Sequence, residues 1–100
     1  MSESIAYKKS FELAIEIVTY CKWLKESKHE YEMAKQLIKS GTSIGANLAE
    51  ANGAISINDF SNKVSIAYKE CLETKYWLQL LEATNNIFMQ MLINLQWEQQ

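Results

Sequence analysis

The sequence predicts an all-α fold, an antiparallel up-and-down four-helix bundle formed by a single domain over residues 1–100. Three observations predict it. The chain has no proline and only three glycines, and its 48% hydrophobic and 22% charged residues are the balance of a globular protein. Apolar residues recur at intervals of three and four along most of the chain. Polar stretches divide this pattern into four predicted helices, at about 5–25, 31–51, 57–84 and 87–97.

The first predicted helix carries two adjacent apolar stripes. The first stripe consists of Phe11, Ala14, Ile15, Val18 and Cys21. The second stripe consists of Leu13, Ile17, Tyr20 and Leu24. A helix in a monomeric bundle needs only a little over ~100° of apolar surface, so the second stripe is either deep core or a contact with another subunit. We treat it as a candidate interface, and we predict that the polar residues 25–30 form the first turn.

The second predicted helix combines small residues with a row of short polar ones. Its predicted core face consists of Ala34, Leu37, Ile38, Gly41, Ile44, Gly45 and Leu48. A glycine inside a helix costs roughly 1 kcal/mol against alanine, which indicates close packing by a neighbouring element. Beside this face runs a polar ridge, defined here as Ser40, Ser43, Asn47 and Glu50. Short hydroxyl and amide groups suit interfacial hydrogen bonds, which favours a structural or subunit-contact role over a ligand role.

The third predicted helix begins at Ser56–Asp59, which has capping-box spacing, after a predicted C-cap at Gly53. Its predicted core seam consists of Phe60, Val64, Ala67, Cys71, Thr74, Leu78 and Leu81. A second stripe beside the seam consists of Ile66, Glu70, Glu73, Trp77 and Leu80. Within that stripe, Ile66, Glu70 and Trp77 are further candidate interface residues.

The pair Asn85–Asn86 is predicted to be the third turn, followed by a short fourth helix. Its inward-facing residues are predicted to be Ile87, Phe88, Met91, Leu92 and Leu95. Because this helix is too short to match the third, part of the core is expected to be uncovered or covered by another chain.

Composition and spacing argue against most kinds of chemistry. The single histidine, His29, cannot supply a di-iron site, and no glycine-rich phosphate loop occurs, so we expect no catalytic, metal or cofactor site and no enzyme. The Glu70–Glu73 pair could share a proton or bind a cation, but the favoured role is to accept hydrogen bonds from a neighbouring helix or to meet lysines across an interface. Cys21 and Cys71 are isolated, which indicates buried free thiols in a reducing cytoplasm.

The charge and hydropathy of the chain limit its partners. All ten basic residues are lysine and the formal net charge is −2, which disfavours nucleic-acid binding. An alternative in which an assembly concentrates its lysines for RNA or DNA binding stays open. No apolar run approaches ~18 residues and no leader is evident, so we expect neither secretion nor a membrane span, and a cytoplasmic location.

Three segments carry a family resemblance: residues 40–51, the pair Asp59–Phe60, and residues 65–78. Together they resemble the bacterial 23S rRNA intervening-sequence proteins, the S23 family, over about residues 5–87. The family's signature polar residues correspond to Ser43, Asn47, Glu50 and Glu73.

The resemblance implies a fold, an assembly and a role. Members of the S23 family are four-helix bundles that assemble as ring-shaped homopentamers, without an established enzymatic activity. We therefore expect a non-catalytic scaffold or adaptor. The competing expectation is a nucleic-acid accessory protein similar to the accessory subunit of diversity-generating retroelements. The fourth predicted helix is shorter than in most members.

Overall fold

The computed structural model describes the backbone of residues 4–98, with side chains up to Asn85 and at Met91 and Asn94. Three helices occupy these residues: α1 spans Ile5–Lys28, α2 spans Tyr31–Asn52 and α3 spans Ile57–Glu98. The all-helical expectation is therefore confirmed over the described residues, but the prediction of four helices is wrong.

The predicted turn at Asn85–Asn86 is the source of this error. Residues 85 and 86 continue the helix, so the segment expected as a fourth helix is the end of α3. Asparagine costs only up to about 0.7 kcal/mol in a helix, and α3 contains neither glycine nor proline to interrupt it. At about 1.5 Å per residue its 42 residues span about 63 Å, which accounts for the 67 Å length of the molecule.

Local capping fixes the helix ends. Ser4 caps the start of α1, because its hydroxyl accepts a 3.0 Å hydrogen bond from the Tyr7 amide. The helix ends three residues later than predicted, at Lys28, where His29 takes a left-handed conformation with φ of 53°. The α1–α2 connection is therefore only two residues long.

The boundaries around the second connection agree with the sequence. Gly53 caps α2, as predicted. At the start of α3 the Ser56 hydroxyl accepts a 3.0 Å bond from the Asp59 amide, while the Asp59 carboxylate accepts a 3.4 Å bond from the Ile55 amide. Short connections make consecutive helices antiparallel, so α1 and α3 run in the same direction.

Helix α2 lies between the other two helices. It packs against both α1 and α3, whereas in the described part of the chain no Cα atom of α1 comes within 8 Å of one in α3. The buried core cluster joins all three helices through side chains. Its members are Ile17, Cys21, Leu24, Ala34, Leu37 and Leu81.

The two helix-internal glycines of α2 allow the close approach of α1, as their spacing predicted. A Cβ built on Gly41 would lie 2.5 Å from the Ile17 Cδ1 atom, and one on Gly45 would lie 3.1 Å from the Ser10 hydroxyl oxygen. Both are closer than ordinary van der Waals contact, so the α1–α2 packing depends on the missing side chains.

In the structure, members of the second stripe of α1 are buried, whereas part of the first stripe is exposed. Ile17 and Leu24 from the second stripe are buried by the chain itself, together with Cys21. Phe11 and Ile15 from the first stripe are each 55% exposed. Because the stripes are adjacent, the position of α2 decides which of them is covered, and α2 approaches α1 through its glycines.

The predicted seam of α3 is buried only in part. Ala67, Thr74 and Leu81 are buried, while Phe60, Val64, Cys71 and Leu78 remain exposed or partly exposed. The prediction that Cys71 is a buried thiol is therefore wrong, and that of Cys21 is confirmed. The exposed members lie on the side of α3 that no helix covers among the described residues.

Candidate functional site

An apolar groove separates α1 from α3 near the α1–α2 turn. We define the groove by Tyr20, Trp23 and Leu24 from α1 and by Leu78 and Leu81 from α3. Its volume is about 710 Å³. The end next to the turn is lined by Lys28, Glu30, Glu82, Thr84 and Asn85.

Aromatic contacts shape the α1 wall of the groove. The rings of Tyr20 and Trp23 stack with centroids 5.9 Å apart and planes inclined by 17°. The Lys28 ammonium lies 5.4 Å from the Trp23 ring centroid, a cation–π geometry. Burial raises the pKa of the Tyr20 hydroxyl above its usual value. The wall is therefore an ordered aromatic surface that solvent partly reaches.

The polar ridge of α2 contacts α3 at two points. The Thr74 hydroxyl donates a 3.1 Å hydrogen bond to the buried Ser40 hydroxyl, which itself donates to the Leu37 carbonyl at 3.3 Å. Towards the C-terminal end of α2, Glu50 forms an ion pair with Lys63 at 3.6 Å. The first of these contacts is buried, whereas the ion pair is solvent-exposed and therefore contributes little to stability.

The other ridge residues bond within their own helix. The Ser43 hydroxyl donates to the Lys39 carbonyl at 2.6 Å, and the Asn47 amide donates to the Ser43 carbonyl at 2.8 Å. Glu73, the remaining signature position, is exposed and accepts a 3.2 Å bond from the Trp77 indole nitrogen. Of the four signature residues, only Glu50 has a side-chain hydrogen bond or ion pair to another helix within the described part of the chain.

The seven candidate interface residues are distributed between core and surface. Ile17 and Leu24 are buried in the chain's own core, and Leu13 and Trp77 pack against that core. Tyr20 lies on the groove wall, while Ile66 and Glu70 are half-buried.

Two exposed features were not predicted as sites. Trp23 is 47% exposed and Leu78 is 37% exposed, and together they border the groove. The sequence signal for Trp23 is its spacing of three from Tyr20, which brings the two rings together on one face. The heptad-like seam predicts Leu78 in the core, but the structure leaves it exposed.

The described side chains offer little reactive chemistry. No group of three His, Cys, Asp or Glu side chains among them could hold a metal ion. Burial raises the pKa of the Cys21 thiol, with nearby Lys25 opposing the shift, and its Sγ atom donates to the Ala34 carbonyl at 3.4 Å. No described helix has the length and apolarity to cross a bilayer.

Comparison with known proteins agrees with this architecture. The sequence profile of the family described as 23S rRNA-intervening sequence protein matches residues 2–98. A solved structure from Bacteroides thetaiotaomicron, a protein of unknown function from the S23 ribosomal protein family, is 49% identical with a TM-score of 0.80. The match covers 84% of this chain and 75% of the other.

The search of curated proteins finds no match. With its three packed helices and a family match over nearly its whole length, the chain belongs to the 23S rRNA-intervening sequence protein family, also called S23.

Proposed function

We propose that this protein is a non-catalytic, self-associating helical module that acts as a scaffold or adaptor in its assembled form. The assembly is a closed ring, and the family resemblance favours five copies. A cytoplasmic location fits the exposed free thiol of Cys71, because oxidising compartments favour disulfide formation.

The observation that carries this proposal is the excess surface of the single chain. Its accessible area is 7648 Å², whereas a compact monomer of 11.5 kDa exposes about 5,800 Å². The radius of gyration of 17.9 Å likewise exceeds the roughly 13 Å typical of a 100-residue domain. The excess of about 1,800 Å² is enough for two standard contacts at about 800 Å² per partner.

Part of this surface is an apolar stripe on α1. We define the outer stripe as Tyr7, Phe11 and Ile15, which are spaced four residues apart; the rings of Tyr7 and Phe11 lie 6.4 Å apart. At about 100° per residue, Phe11 and Tyr20 point in opposite directions, so the outer stripe and the groove are separate surfaces. A cyclic ring needs two different surfaces on each subunit, and the outer stripe supplies one of them.

Light scattering coupled to size exclusion over the micromolar range of protein concentration tests the proposal. We expect a mass several times 11.5 kDa, about 57 kDa for five copies. Ile15→Lys is expected to shift the mass towards the monomer, because it places a charge in the outer stripe. Glu12→Lys is the matched control, since Glu12 is also exposed on α1 but lies outside the stripe. A monomer of the native chain at every concentration would refute self-association.

A further inference from the structure

A second exposed apolar stripe lies on α3. We define the tyrosine stripe as Val64, Tyr68, Leu72 and Tyr76, which follow one another at intervals of four residues. Each of these side chains is at least 37% exposed. Leu72 lies about 160° around α3 from Thr74, whose hydroxyl bonds to α2. The tyrosine stripe therefore faces away from α2.

The tyrosine stripe resembles the outer stripe of α1 in composition and spacing. Aromatic and aliphatic side chains make up both stripes, and neither contains a charged residue. Interface cores are likewise enriched in aromatic residues and depleted of charged ones. Because both stripes repeat every four residues, each forms a ridge along its helix that suits packing against another helix.

The two stripes also lie at the same height along the molecule. Ile17 of α1 packs on Gly41 of α2, and Thr74 of α3 bonds to Ser40, the residue next to Gly41. Ile17 and Thr74 are therefore level with each other to within about one helical turn. Helices α1 and α3 run in the same direction with the same rise per residue, so equal counts from this level reach equal heights.

Counting back from this level matches the two stripes residue by residue. Phe11 comes six residues before Ile17, and Tyr68 comes six residues before Thr74. The same count places Tyr7 at the height of Val64 and Ile15 at the height of Leu72. Each member of the outer stripe therefore has a member of the tyrosine stripe at its own height.

A cyclic ring whose helices run along the ring axis requires such a match. Rotation about the axis carries a residue around the ring without moving it along the axis. A surface of one copy therefore meets the part of the next copy that lies at its own height. A stripe that met a copy of itself would instead form a two-fold pair, which does not continue into a ring.

We propose that the outer stripe of one copy packs against the tyrosine stripe of the next, with α1 parallel to the neighbouring α3. Phe11 then meets Tyr68 of the next copy at the centre of the contact. This pairing rests on the proposed ring and specifies its second surface. Every chain uses each stripe once, so the contact repeats from copy to copy and closes at five as readily as at any other number.

Mixing two variants tests the pairing by light scattering. Ile15→Lys places a charge in the outer stripe, and Leu72→Lys places one in the tyrosine stripe. Each variant alone is expected to be a monomer of 11.5 kDa. A mixture retains one intact pairing, between the tyrosine stripe of the first variant and the outer stripe of the second. We therefore expect a heterodimer of about 23 kDa, whose formation also shows that both variants are folded.

Asn62→Lys is the matched control for Leu72→Lys. Asn62 is also exposed on α3, but it lies about 120° around the helix from Tyr68 and outside the tyrosine stripe. The control adds the same charge to the same helix. We expect it to keep the mass of the native assembly.

Disulfide crosslinking tests the match in height. In a Cys71→Ser background, which removes the exposed thiol, a chain carrying Ile15→Cys and Leu72→Cys is expected to form a covalent series up to the full ring on oxidation. The control chain carries Tyr7→Cys and Leu72→Cys. These two positions differ in height by about 12 Å, whereas a disulfide joins Cα atoms no more than about 7 Å apart. We expect the control chain to stay uncrosslinked.

The other outcomes separate this pairing from self-association itself. A Leu72→Lys variant that keeps the native mass, or that forms homodimers through its outer stripe, would overturn the pairing while leaving self-association intact. A mixture that stays monomeric, or a control pair that crosslinks as well as the matched pair, would do the same. A native chain that is monomeric at every concentration would overturn both proposals.

Discussion

Replacing Gly41 with alanine tests the close packing of α1 on α2. A Cβ at this position lies 2.5 Å from the Ile17 Cδ1 atom and 3.0 Å from its Cγ2 atom. Ile17 is buried in the core cluster, so its side chain has little room to move away. The substitution therefore forces overpacking at the centre of the α1–α2 contact.

Two opposing effects determine the size of the change. Overpacking a core by one carbon costs typically about 1–3 kcal/mol. Alanine in a helix interior recovers about 1 kcal/mol relative to glycine. We therefore expect Gly41→Ala to lower the free energy of unfolding by about 0–2 kcal/mol, with about 1 kcal/mol as the central value.

A double-mutant cycle with Ile17→Val isolates the steric part of the change in unfolding free energy caused by Gly41→Ala. Valine lacks the Cδ1 atom that makes the closest approach, so Gly41→Ala should cost about 1–2 kcal/mol less in the Ile17→Val background. Urea unfolding followed by far-ultraviolet circular dichroism measures these values, at one fixed protein concentration because the proposed self-association would contribute to stability.

The reasoning would be refuted if the effects of Gly41→Ala and Ile17→Val on the free energy of unfolding were additive. Sites that do not interact add within about 0.3–0.5 kcal/mol, so a smaller coupling would show that Ile17 is not the obstacle. Gly53→Ala is the matched control, because a Cβ there meets only the Glu50 carbonyl oxygen at 3.7 Å and φ is −100°. We expect it to be neutral or to stabilise by about 0.4–1 kcal/mol.

Three further predictions concern buried polar groups and thiols. Thr74→Val removes the hydroxyl that donates to Ser40, and we expect a loss of about 1 kcal/mol, seen as a melting temperature lower by roughly 4–8 °C; an unchanged melting temperature would contradict this. Under native conditions Ellman's reagent should modify Cys71 and leave Cys21 unmodified until the chain unfolds; equal rates would contradict the burial of Cys21. Because burial raises the pKa of the Cys21 thiol in the folded state, its contribution to stability is complete below the unfolded pKa and is lost as pH rises through the folded pKa. Unfolding free energies should therefore fall above about pH 9, and Cys21→Ala should reduce that fall; the same slope in both proteins would exclude Cys21 as its source.

The sequence was sufficient for the parts of the fold that depend on local rules. The absence of proline predicts long helices, the Ser56–Asp59 spacing predicts the start of α3, and the spacing of Gly41 and Gly45 predicts a close neighbour. The first two depend on backbone geometry within a few residues, which the order of residues specifies directly. The third follows from the cost of glycine in a helix, which indicates a close neighbour without identifying it.

The parts that the sequence did not predict depend on small energy differences or on other helices. A turn at Asn85–Asn86 and a continuous helix differ by less than a few kcal/mol, so asparagine alone does not decide between them. The choice of stripe on α1 and the exposure of Cys71 depend on where α2 docks and on whether anything covers the far side of α3. Periodicity identifies an apolar face but not its partner.

The central position of α2 has a consequence for how the chain folds. Since the backbones of α1 and α3 do not approach each other, every backbone-level helix–helix contact within residues 4–98 joins neighbours in the sequence. Such a contact order is low, and proteins of this kind fold in microseconds to milliseconds. Folding of the single chain therefore requires no backbone pairing between helices that are distant in the sequence.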